Sequence, residues 1–158
     1  MPRAWEANFL RNEFVLATAL AVAVAVWDVL LNGRSTLAPL IEGNRAAIYG
    51  TAASIAGALL GFLITTVTVI QALVSNRAFA RLRASDKYST LWRVFRWTIR
   101  SLAVATALSF VSLIADRDTT PCWPLFHLEV WALLVAAFLV ARSIWILERV
   151  LAVSVQEN

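Results

Sequence analysis

Residues 46–75 form a run of 30 amino acids without one charged side chain. As a helix it would reach about 45 Å, at 1.5 Å per residue. The hydrocarbon core of a bilayer is about 30 Å thick. A run this long and apolar cannot be buried inside a chain of 158 residues as an ordinary core helix, so it is read as membrane-spanning. The composition agrees. Hydrophobic residues make up 60% of the chain and charged residues 15%, where soluble domains have roughly 45–50% and about 25%.

Three further stretches have the length and apolarity of spans: residues 14–31, 98–115 and 125–147. Between them, 32–45 and 116–124 collect Gly, Pro and charged residues and read as loops. The expected fold is all-α, a four-helix bundle forming one transmembrane domain over residues 1–158. The first span reads as a retained helix. It is longer than a signal core, and no small-residue cleavage site leads into a polar sequence.

Arginine placement sets the expected orientation. An even number of spans puts both termini on one side, together with the loop between spans two and three. That side holds Arg3, Arg11, Arg77, Arg81, Arg83, Lys87, Arg93, Arg96, Arg100, Arg142 and Arg149. The other side holds only Arg34, Arg45 and Arg117. Cytoplasmic loops carry the Lys/Arg excess, so both termini are expected in the cytoplasm, N-in/C-in, of a bacterial inner membrane. Trp5, Trp92, Trp97 and Trp145 fall near one interface and Trp27, Trp123 and Trp131 near the other, as an aromatic belt requires. The basic pI of about 10.2 is thus read as topology information. The lipid bilayer is the expected partner, and no nucleic acid is expected.

The second span is too long for the bilayer, and "SNRAFARLRASD" continues it with helix-compatible residues. The third is expected to begin early, at "STLWRVFRWTIR". There Arg93, Arg96 and Arg100 share one helical face and Trp92, Phe95 and Ile99 another. Helices two and three therefore extend into a basic cytoplasmic hairpin over residues 76–97. Arg77, Arg81, Arg83, Lys87, Arg93, Arg96 and Arg100 would touch anionic lipid or a cytoplasmic protein partner.

At 100° per residue, Gly50, Ser54, Gly57, Gly61, Thr65, Thr68, Ala72 and Ser75 align in one stripe on the second span. Small residues let helix backbones approach closely, and Gly57 and Gly61 have GxxxG spacing. Similar stripes run along the first helix (Ala17, Ala21, Ala25, Asp28, Asn32), the third (Thr98, Ser101, Ala105, Ser109, Ser112, Asp116) and the fourth (Glu129, Ala132, Ala136, Ser143). Two readings follow. All small faces turn inward in one bundle, or some meet a second subunit or line a water-filled path.

Charges inside spans are costly and face protein or water. Asp28, Asp116 and Glu129 lie on their stripes near the outer end, with Asn32 one turn past Asp28. Arranged around an axis they could form an acidic mouth that attracts cations. Otherwise they pair with Arg34, Arg45 and Arg117 or meet water. Pairing is preferred for Asp116 and Asp118, and both readings stand for Asp28. Arg142 is expected to snorkel to the headgroups. His127 is expected as an interfacial residue, and Cys122 as an inert thiol.

One His, one Cys and no catalytic or phosphate-binding motif argue against an enzyme. No cofactor and no metal site are expected. The leading expectation is a homo-oligomeric pore or transport unit, since four helices alone seldom enclose a path. The alternative is a non-conducting anchor whose basic hairpin recruits a partner.

Overall fold

The computed structural model describes residues 3–74, 86–117 and 121–156. Among them the chain forms α1 (Arg3–Leu30), α2 (Gly33–Ile41), α3 (Arg45–Val74), α4 (Asp86–Ala115) and α5 (Trp123–Gln156). Four helices contain segments long and apolar enough to cross a membrane: Arg11–Leu30, Arg45–Ala72, Thr90–Ala115 and Trp123–Glu148. This is the architecture of an integral membrane protein. Part of the expected hairpin, with Arg77, Arg81 and Arg83, lies outside the described residues, as does Asp118. Lys87 falls in the first turn of α4.

The helices form an open row. α3 packs on α4, α4 on α5, and α5 on α1, while α1 and α3 share at most marginal contact. Burial follows the row. The edge spans of α1 and α3 are 11% and 17% buried, the central spans of α4 and α5 28% and 22%. The expected bundle is thus present but not closed. Large apolar side chains such as Phe14, Leu30, Phe62, Phe110 and Ile144 are left exposed, as lipid-facing residues should be.

The seams follow from residue spacing. On α4 Val94 is buried, and so is a longer series: Leu91, Phe95, Thr98, Leu102, Ala105, Ser109 and Ser112, ending at Asp116. The residues of this series alternate steps of four and three, the repeat of helices packed nearly parallel along their length. On α5 Glu129, Ala132, Ala136, Leu139 and Ser143 do the same. Ala17 and Asp28 are buried on α1, with Ala21 and Ala25 partly so. On these three helices the small stripe turns inward, and Thr98 Oγ1 bonds Ser143 Oγ at 2.8 Å across the α4–α5 seam.

α3 differs. Its core face is Tyr49, Ala53, Ala56 and Leu63, with Leu60, Val67 and Ile70 partly buried on the same seam. The stripe expected to pack is turned away from it. Ser54, Gly61, Thr65 and Thr68 are exposed, and Gly50 and Gly57 only partly buried. A β-carbon at Gly50 or Gly61 would meet nothing within 4 Å, and one at Gly57 would lie 3.8 Å from Thr106 Cγ2. Leu63, away from the stripe, is 6% exposed.

Two expectations on the connections are corrected. Residues 32–45 are not a simple loop, because α2 fills most of them. It starts after Asn32, which takes the left-handed conformation at φ 57°. Gly33 follows under the Trp27 ring, where a β-carbon would lie 2.7 Å from it, so only glycine fits. Nor are the second and third spans alone in being over-long. α1 begins at Arg3, well before its span, and α5 continues to Gln156, well past its own.

Candidate functional site

The antiparallel row gathers one set of polar residues at each end. At the end holding α2, Asp116 is 1% exposed and lies just past α4. Arg45 Nη1, at the start of α3, donates to its Oδ2 at 2.6 Å. The Tyr49 hydroxyl, one turn on, donates to the same oxygen. The Cys122 backbone N–H donates to Oδ1 at 2.6 Å. One carboxylate thereby holds the start of α3, the end of α4 and the approach to α5. A buried carboxylate in a bilayer is costly, and these three donors lower that cost for Asp116.

Asp28, 2% exposed, accepts from Arg34 Nη2 at 3.2 Å. His127 Nε2 lies 3.5 Å from the same oxygen. His127 Nδ1 is 2.7 Å from the Trp123 carbonyl, which can only accept, so that nitrogen carries a hydrogen. The two acid clusters meet at Trp123. The Arg34 and Arg45 guanidiniums lie 4.6 Å and 5.0 Å from the centroid of its ring. Arginine suits this double task of pairing and stacking. The resulting chain, Asp28–Arg34–Trp123–Arg45–Asp116, links all five helices.

Glu129, 2% exposed, bonds the Ser109 hydroxyl across the α4–α5 seam. Among the described residues it has no ion-pair partner, and its Oε2 and the buried Ser112 Oγ have no hydrogen-bond partner. No group of three His, Cys, Asp or Glu side chains among the described residues is placed to hold a metal.

The expected acidic mouth therefore takes a different form within one chain. Asp28, Asp116 and Glu129 do share one end of the row, but they are buried between helices. Asn32 is exposed. Asp28 and Asp116 are taken up by Arg34 and Arg45, the pairing reading. The sequence offered both partners, but Tyr49 and the role of Trp123 were missed. A Tyr four residues after an Arg on one helical face is the signal that could have found the first.

At the opposite end Arg142 does not simply reach for the headgroups. Its Nε donates to Glu13 Oε1 of α1 at 2.6 Å, and its guanidinium lies 5.2 Å from the Trp145 ring centroid. Nearer the middle, Trp131 Nε1 donates to Thr18 at 3.1 Å and meets Phe14 edge-on at 5.7 Å. These contacts fix α1 to α5. Of the basic residues expected to touch lipid or a partner, Arg93, Arg96 and Arg100 are exposed.

On the exposed α3 stripe each hydroxyl bonds back to its own helix. Ser54 donates to the Gly50 carbonyl at 2.8 Å, Thr65 to Gly61 at 2.9 Å and Thr68 to Ile64 at 3.0 Å. The face is polar yet internally satisfied, so it can meet lipid, protein or water without an orphaned group.

No protein-family model matches the chain, and no curated protein or solved structure does either.

Proposed function

We propose that the chain is one protomer of a homo-oligomeric membrane assembly, in which the small-residue face of α3 meets neighbouring copies and borders a path for small cations. The observation that supports this is the outward stripe of Gly50, Ser54, Gly57, Gly61, Thr65 and Thr68. α3 stands at the edge of the row, and its small face stays uncovered after the protomer has folded. Lipid gains nothing from such a face, whereas a neighbouring helix can approach closely over it. Hydroxyls that can turn from their own carbonyls to water give the neutral polar lining that a hydrated ion tolerates. The outer end suits cations: Asp28, Glu42, Asp116, Asp118 and Glu129 outnumber Arg34, Arg45 and Arg117. The setting is an inner membrane with both termini cytoplasmic, and the chemistry is not enzymatic.

Sealed liposomes holding the purified protein, a cation gradient and a potential-sensitive dye test this. Wild type is expected to leak cations. Thr65→Val with Thr68→Val, which keeps shape and removes two hydroxyls, should lower the leak several-fold with oligomer mass unchanged. Asp28→Asn should have little effect on flux, because that carboxylate is engaged by Arg34. Liposomes that stay tight would overturn the conducting role. They would leave the second reading, an anchor whose basic hairpin docks a cytoplasmic partner. The exposed Arg93, Arg96 and Arg100 on α4 favour it.

A further inference from the structure

We infer that the groove between α3 and α4 at the arginine-rich end is a binding site for one anionic phospholipid, with its phosphate held by Arg96 and Arg100. The groove has a volume of about 470 Å³ and is lined by Val67 and Gln71 from α3 and by Trp92, Arg96, Ile99 and Arg100 from α4. It sets apolar lining beside cationic lining, the two kinds of surface a phospholipid needs. Val67 and Ile99 offer a surface for the start of an acyl chain. Gln71 and the two guanidiniums offer donors to a phosphate and its ester oxygens, and Trp92 has the amphipathic ring favoured at headgroup depth.

Charge complementarity selects an anionic lipid. Arg96 and Arg100 lie one turn apart on the same side of α4 and are both exposed. Neither forms an ion pair among the described residues; Arg100 only lies over the Trp97 ring at 5.8 Å. The two helices that form the groove carry no acid from residue 46 to 74 or from residue 90 to 115. Depth fits as well. Arg100 is about 23 Å along α4 from its end at Ala115, at 1.5 Å per residue. A hydrocarbon core of about 30 Å then puts Arg96 at the opposite boundary and Arg100 about 7 Å inside it, from where its long side chain can snorkel to the phosphates. A zwitterionic lipid would bring its own ammonium to these guanidiniums and lose most of the attraction.

The site differs from general attraction between a basic surface and an anionic leaflet. It requires the groove as well as the charge, and it holds one lipid per chain. Native mass spectrometry of the protein released from nanodiscs tests it, with phosphatidylglycerol and phosphatidylcholine mixed in equal amounts. Wild type should retain one phosphatidylglycerol per chain in preference to phosphatidylcholine. Arg96→Gln with Arg100→Gln should weaken that retention by roughly tenfold or more, given the size of headgroup attraction per basic residue. Gln71→Trp, at an exposed lining position, fills the groove without changing charge and should do the same. Arg11→Gln with Arg93→Gln removes as much charge at the same end but outside the groove and should retain the lipid. Equal losses in all three variants, or equal retention of both lipids by wild type, would overturn the proposal.

Discussion

Replacing Arg45 with Met should destabilise the protein by about 3–5 kcal/mol, the usual cost of removing one partner from a buried ion pair. The side chain is nearly matched in length, so the loss is one of charge and hydrogen bonding. Asp116 would keep the Tyr49 hydroxyl and the Cys122 N–H, but its charge would face no guanidinium at 2.6 Å. Arg45 and Asp116 side chains are 5% and 0% exposed, so water cannot take over. The effect should appear as a lower midpoint on unfolding in detergent. The double variant Arg45→Met with Asp116→Leu should recover part of the loss, because no unpaired charge then remains. A single variant as stable as wild type would mean that Asp116 is not held this way.

Leucine at both Gly57 and Gly61 should separate assembly from folding. Within the protomer there is room. A β-carbon at Gly61 meets nothing within 4 Å, and one at Gly57 makes ordinary contact with Thr106. Helix propensity also improves, by up to about 1 kcal/mol per glycine replaced. The unfolding midpoint of the protomer should hold or rise. Between copies there is no such room, because two bulky side chains keep the backbones apart. Mass in detergent should therefore fall from the oligomer to the 17.4 kDa chain. A stable variant of unchanged oligomer mass would remove α3 from the interface.

The spans were legible because hydropathy reports what the bilayer demands, and the early start of α4 was legible from the Arg and Trp faces around residues 92–100. The inward stripes of α1, α4 and α5 were legible too, since small and polar residues coincide there with the packing face. On α3 they do not coincide. Tyr49, Ala53, Ala56, Leu60, Leu63, Val67 and Ile70 repeat in steps of four and three, yet two of the seven are alanines and the rest differ little from lipid-facing neighbours. In a bilayer an apolar residue suits lipid and core alike, so hydrophobicity does not mark the seam. α2 was hidden by Gly33 and Pro39, which usually interrupt a helix. The meeting of Arg34 and Arg45 over Trp123 joins the first connection to a residue far along the chain, and only the packed row brings them together.

In the proposed assembly the small face of α3 meets other copies of the chain. Disulfide trapping in native membranes tests it most directly, with Cys122 replaced by Ser and single cysteines placed around α3. Cysteines at Ser54, Gly61, Thr65 and Thr68 should give cross-linked dimers on mild oxidation. Cysteines at Ile55, Phe62 and Val69, also exposed but on another face, should not. Cross-linking that is absent from the stripe, or as strong at Phe62 as at Gly61, would contradict an assembly built on this face.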